Sequence, residues 1–287
     1  MKKLIPYTIL FMTILSCSSN INFDSKISIN LESCEINYNL HNVNSNNILS
    51  ETYIVGHAYG EPGKGDFFPE RLTSYFNNNL DADIENNIAL TGDFVREASV
   101  ESFLKVKNYI ESNFNDYLIS IGNHELNSNS LENYLSVFEK EFYFKEFENY
   151  LIISPNFSNP NWLPSNEQVA EVNKLINNTE KDYVIILSHQ LFWLNATNGD
   201  LVPNSDDLLK NELPRDPLNW IDSSKIKNFI IISGDYGAFG AKPYCKQDGN
   251  KLYIANGIGD TEKDSIIKII NKENNFEIIE INLEDAK

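Results

Sequence analysis

The chain has 287 residues, enough for one large domain or two small ones with a buried core, and 41% hydrophobic against 22% charged residues is a globular balance. A formal net charge of -18 argues against a nucleic-acid backbone as partner, because phosphate repels such a surface. An anionic small molecule remains compatible where a bound cation inverts the local field.

Lys2 and Lys3 form a short basic region ahead of an apolar run, Leu4 to Leu15, interrupted by Pro6. That run is too short to span a bilayer and fits the core of a signal peptide. It ends in Ile14-Leu15-Ser16-Cys17, which resembles a bacterial lipobox with cleavage before Cys17 and lipid on its thiol; plain secretion with cleavage nearby is the alternative. Residues 1–16 are therefore read as a signal peptide. Residues 17–50, rich in Asn and Ser, are read as a lipid-anchored tether leading into a peripheral strand around Ile27-Ser28-Ile29. Residues 51–287 are read as the functional domain. The expected location is exported and lipid-anchored to a bacterial membrane, periplasmic or at the cell surface. Such a compartment permits a disulfide between Cys34 and Cys245 without dictating one.

From Tyr53 onward, short apolar runs alternate with segments of helical period, as in stacked βα units. The runs begin at Tyr53, Ile88, Tyr117, Tyr150, Val184, Phe229 and Leu252, all of strand length and several apolar throughout, which suits strands covered on both faces. Helices are expected near Pro69–Asn79, Val100–Asn113, Leu131–Phe138, Ser165–Asn177 and Ser223–Lys227, and a closing hairpin over Ser265–Leu283.

Polar residues follow five of these strands. Tyr53–Val55 leads into Gly56-His57-Ala58-Tyr59-Gly60, Ile88–Leu90 into Thr91-Gly92-Asp93, and Leu118–Ile121 into Gly122-Asn123-His124-Glu125. Val184–Leu187 leads into Ser188-His189, and Phe229–Ile232 into Ser233-Gly234-Asp235-Tyr236-Gly237. In α/β folds, ligands bind outside the carboxyl ends of strands. Of the four histidines, His57, His124 and His189 all stand at such ends and only His41 does not. Carboxylate, amide oxygen and imidazole form a donor set for a hard or borderline divalent ion. No Gly-x-Ser-x-Gly elbow, P-loop or Gly-x-Gly-x-x-Gly turn competes with this reading.

The order Gly-Asp, Gly-Asn-His-Glu, then Ser-His after an apolar strand resembles the calcineurin-like metallophosphoesterases, from about Tyr53 to the C-terminus. The resemblance implies an α/β fold, a four-layer αββα sandwich, with one or two divalent ions (Mn, Fe or Zn) at one edge. It implies that Asp93 bridges the ions, that Asn123 and His189 hold the second, and that His124 contacts the scissile phosphate as acid or orienting group. A metal-bound hydroxide would then attack phosphorus. Two motifs depart from the family. His57 stands where its first motif has Asp and Tyr59 where it has His, while Asp235 and Gly237 replace the two histidines of its last motif. The expected metal residues are therefore His57, Asp93, Asn123, His189 and Asp235. The implied activity is hydrolysis of a phosphomonoester or phosphodiester, on a phosphorylated small-molecule or glycan substrate. The alternative is a catalytically degenerate surface lipoprotein that binds a phosphorylated or glycan ligand.

Overall fold

In a computed structural model, residues 27–30, 47–126, 130–158, 164–191, 221, 226, 228–236 and 243–284 are described. The signal region, Cys17, Cys34, Gly237 and most of the helix expected over Ser223–Lys227 lie outside them. The strands are β1 (Ile27–Asn30), β2 (Ile48–Val55), β3 (Glu85–Thr91), β4 (Asp116–Ser120), β5 (Tyr143–Glu146) and β6 (Tyr150–Ser154). The second half adds β7 (Tyr183–Ser188), β8 (Asn228–Ser233), β9 (Tyr244–Asp248), β10 (Lys251–Ala255), β11 (Ser265–Lys272) and β12 (Phe276–Asn282). The helices are α1 (Glu70–Asn79), α2 (Val100–Asn113), α3 (Ser130–Phe138) and α4 (Asn166–Asn178).

The strands form two six-stranded sheets, in the orders β1-β12-β11-β2-β3-β4 and β5-β6-β7-β8-β10-β9. β2, β3 and β4 are parallel in the first, and β6, β7, β8 and β10 in the second. Parallel neighbours need crossovers, and helices lie in three of them: α1 between β2 and β3, α2 between β3 and β4, and α4 between β6 and β7. α2 and α4 start where Ser99 and Ser165 accept the backbone N–H three residues on.

The period-two side-chain pattern shows why both faces of the second sheet are apolar. Ile152, Ile185, Leu187, Ile230, Ile232 and Ile254 point toward the first sheet and join its core. Their neighbours Leu151, Ile153, Val184, Ile186, Phe229 and Ile231 point the other way and pack with Val172 and Ile176 of α4. Tyr150 and Tyr183 meet Phe276 of the first sheet at ring distances of 4.7 and 5.2 Å. On the outer face of the first sheet, Tyr53 packs edge-on against Phe76 of α1, and Tyr117 against Phe138 of α3. The result is four layers, helix–sheet–sheet–helix. β2 begins at Ile48, inside the stretch read as tether, and β1 pairs in parallel with β12 at the sheet edge.

The order of strands decides where the chemistry falls. β2, β3 and β4 are neighbours, and so are β7 and β8, so their carboxyl ends share one rim of the sandwich. At that rim the two sheets touch through glycine: a Cβ on Gly56 would lie 2.3 Å from the Gly234 Cα, and one on Gly234 would lie 2.0 Å from the Thr91 carbonyl. These glycines let the two sheets approach each other at the rim.

Candidate metal centre

Asp93, which follows β3, sits at the middle of the rim and is buried. Three imidazole Nε2 atoms face its Oδ2: His189 at 3.3 Å, His57 at 3.9 Å and His124 at 3.9 Å. Each ring is held by its other nitrogen. His57 Nδ1 donates to the Ile258 carbonyl at 2.9 Å, His124 Nδ1 to the Arg96 carbonyl at 3.0 Å and His189 Nδ1 to the Thr91 carbonyl at 3.2 Å. A backbone carbonyl can only accept, so the neutral tautomer of all three carries its lone pair on Nε2, the side facing Asp93. This is how ligating histidines are oriented around a metal.

Oxygens crowd the His189 ring. Asn123 Oδ1 lies 3.1 Å and Asp235 Oδ1 3.5 Å from Nε2. Asp93, His189 and Asp235 each offer one donor atom within 4.8 Å of the others, and all three are buried. Burial alone would depress the His189 imidazole, but the charges of Asp93 and Asp235 outweigh it and lift the group to about 10. Burial likewise pushes Asp93 up, and the imidazoles around it, His189 foremost, hold it down at about 2. His57 is depressed, chiefly by burial. Without an ion, a proton on His189 thus sits where three oxygens converge. Two buried carboxylates, an amide oxygen and an imidazole suit a divalent cation replacing that proton.

Glu125 is fully buried and does not join the donors. Its carboxylate accepts backbone N–H bonds from Gly122 at 2.7 Å, Asp93 and Phe94 at 2.9 Å each, and Val95 at 3.2 Å. It ties the loop after β4 to the loop after β3. The His124 N–H in turn donates to Asp93 Oδ1 at 3.0 Å. Space in these loops is tight: a Cβ on Gly122 would fall 2.3 Å from Asp93 Oδ1, and one on Gly92, at φ 78°, 2.5 Å from the His189 ring. His57 and Asp93 are themselves non-glycine residues in the left-handed region, at φ 47° and 49°. Such backbone costs about 1–3 kcal/mol at each residue and persists where surrounding structure enforces it.

Two polar residues near the rim take structural parts. Asn156 donates to Glu141 and accepts from the Ser158 N–H. Arg96 bonds the Gly63 carbonyl and Glu97. The loop after β10 went unnoticed in the sequence. Asn256 Nδ2 donates to the Ile54 carbonyl, the Ile258 N–H to the Gly56 carbonyl, and the Ile258 carbonyl holds His57. The Asn256-Gly257 pair directly after an apolar strand repeats the polar strand-end pattern and was the available signal.

No family model and no curated protein matches the sequence. Solved structures match the fold. A purple acid phosphatase from yellow lupin (Lupinus luteus) seeds superposes with a TM-score of 0.58 at 12% identity over 83% of this chain. This chain spans about half of that protein, 52%. GAP50, the anchor in the inner membrane complex of Plasmodium, superposes with a TM-score of 0.52 at 12% identity, over 84% of this chain and 86% of its own. At such identity the likeness speaks for architecture alone: the chain has the four-layer sandwich of the metallo-dependent phosphatases.

Proposed function

We propose that the protein is a metal-dependent hydrolase of a phosphomonoester or phosphodiester, exported and anchored to the membrane by lipid on Cys17. The convergence of Asp93, Asn123, His189 and Asp235 at one buried point supports this most, with each imidazole around Asp93 pre-oriented by a backbone carbonyl. Fold alone would not suffice, since one of the similar structures is described as an anchor. These four residues would hold a divalent ion such as Mn, Fe or Zn. When bound, it supplies Lewis acidity toward a phosphoryl oxygen and lowers the pKa of water.

The chain's own residues do the rest. His124 is the imidazole that faces outward, with a side chain 28% exposed. Its Nδ1–H is committed to the Arg96 carbonyl, which leaves Nε2 to touch an entering phosphoryl group; with the ring doubly protonated, the Nε2 proton passes to the leaving oxygen and the ring returns to the neutral Nδ1–H form. Glu125 keeps the Asp93 and His124 loops in register. A substrate of phosphorylated small-molecule or glycan type matches an acidic protein whose field is reversed at one point. Export rests on the basic–apolar–Leu15-Ser16-Cys17 start, and the disulfide formed by Cys245 suits an oxidising compartment.

A second reading, a degenerate surface lipoprotein that binds a phosphorylated or glycan ligand without turnover, is favoured by Tyr59 and Gly237 standing where ligands are expected. Chromogenic mono- and diesters of phosphate, offered with Mn or Zn, separate the two. The hydrolase reading predicts turnover that His124→Ala reduces by about 100-fold or more. Equal inactivity of wild type and His124→Ala with every metal would favour the binding reading.

A further inference from the structure

The donors around Asp93 are divided unevenly. On one side stand His189, Asp235 and Asn123. On the other, among the described residues, His57 turns a ring nitrogen toward Asp93 from a buried position, and His124 flanks it nearer solvent. The Tyr59 ring lies beside both, its centroid 4.3 Å from His57 and 5.1 Å from His124, and it is 1% exposed. The ring is held in place from its backbone. The Tyr59 N–H donates to the Asp93 carbonyl at 3.2 Å, and Gly65 lies so close that a Cβ there would meet the Tyr59 carbonyl at 1.8 Å.

A divalent ion sits about 2.0–2.6 Å from each donor and takes four or more of them. The first side meets this with two carboxylates, an imidazole and an amide oxygen. Among the described residues the second side offers Asp93 Oδ2, His57 Nε2, the more exposed His124 Nε2 that the proposed reaction assigns to the substrate, and a neutral phenol, which is a poor ligand. Among the described residues, Asp93–His189–Asp235 is the one cluster of metal-binding type. Gly237, where the resemblance implies an imidazole, has no side chain, and Ala238, Phe239, Gly240 and Ala241 add no ligand type.

We infer that the centre is mononuclear: one divalent ion binds Asp93, Asn123, His189 and Asp235, and the Tyr59 ring fills the half of the site where a second ion would otherwise sit. This rests on the metal reading above and refines it. It also gives a reason for the exchange of side chains between the first and last motifs. Asp235 completes the one retained ligand set with a second carboxylate, and Tyr59 closes the set that is given up.

The test uses the full chain, stripped of metal, loaded with excess Mn2+ and desalted, then read by elemental analysis and electron paramagnetic resonance. A single equivalent with the hyperfine pattern of isolated Mn2+ is expected. Tyr59→Phe keeps the ring and should leave that result unchanged. Tyr59→His removes the ring's bulk, restores an imidazole and should take up a second equivalent with an exchange-coupled spectrum. Asp235→Asn should weaken uptake by at least 100-fold, whereas His57→Ala should change it less than tenfold. Two equivalents with a coupled spectrum in the wild type would overturn the inference and leave the hydrolase reading standing. Uptake lost in His57→Ala but kept in Asp235→Asn would overturn it by placing the ion on the other side. No uptake by the wild type would overturn both.

Discussion

Glu125→Gln tests what holds the site together. The carboxylate of Glu125 accepts two backbone N–H groups on each oxygen, Gly122 and Asp93 on Oε2, Phe94 and Val95 on Oε1. Glutamine preserves the shape, but its NH2 cannot accept, so either orientation of the amide leaves two buried donors without a partner. At about 1–3 kcal/mol for each such donor the loss is about 2–6 kcal/mol. Removing a buried charge, which burial and Asp93 already push up to about 7, offsets part of this, so about 2–4 kcal/mol is expected. That is a large share of the about 5–15 kcal/mol that stabilises a typical domain. Urea unfolding reads the stability and calorimetric titration with Mn2+ reads the site. Metal affinity should fall by about 10–100-fold, because the orphaned donors, Gly122 and Asp93 or Phe94 and Val95 according to the amide's orientation, belong to the loops that carry the ligands. A variant within about 0.5 kcal/mol of wild type, binding metal equally well, would refute the role given to Glu125.

Gly92→Ala places a Cβ against the His189 ring at a positive φ, and should cost about 2–5 kcal/mol and weaken metal binding in the same titration. Glu51→Ala serves as a distant control. It strips Lys268 and the Tyr53 hydroxyl of a shared buried partner at the opposite end of β2, so stability should drop by about 3 kcal/mol with metal affinity unchanged. Asp264 carries a pH test. Burial raises its carboxyl, so the folded state holds this proton more tightly than the unfolded chain, and stability from this group is lost as pH rises above its ordinary value. Asp264→Asn removes that loss. Relative to wild type, its urea midpoint should therefore be higher at pH 7 than at pH 4, and an unchanged difference would contradict the assignment. Incorporation of labelled palmitate should vanish in Cys17→Ala; retention would rule out the lipid anchor at that residue.

Much of the architecture was legible because the apolar runs are unambiguous. Val184–Leu187 and Phe229–Ile232 are apolar throughout, and the structure covers both their faces. The polar strand ends were equally plain, since β2, β3, β4, β7 and β8 all deliver theirs to one rim. Other features left no periodic trace. β9 (Tyr-Cys-Lys-Gln-Asp) is an edge strand with alternating exposure and reads as loop. The groups that orient the imidazoles are backbone carbonyls of Thr91, Arg96 and Ile258, which any side chain could accompany. The glycine contact at the rim left no trace for a related reason. Sequence tells that Gly56 and Gly234 precede polar residues, but their mutual contact exists only once two sheets face each other. Tyr59 stands where the resembled motif has His, and its position beside both His57 and His124 depends on loop geometry.

The central claim is that Asp93, Asn123, His189 and Asp235 form one metal site. Anomalous scattering from crystals of the Mn2+-loaded protein tests it most directly. The account predicts a peak bonded to these four residues at about 2.0–2.6 Å, with Glu125 still bound to its backbone donors. A peak that leaves out His189 and Asp235, or no peak at this rim, would contradict it.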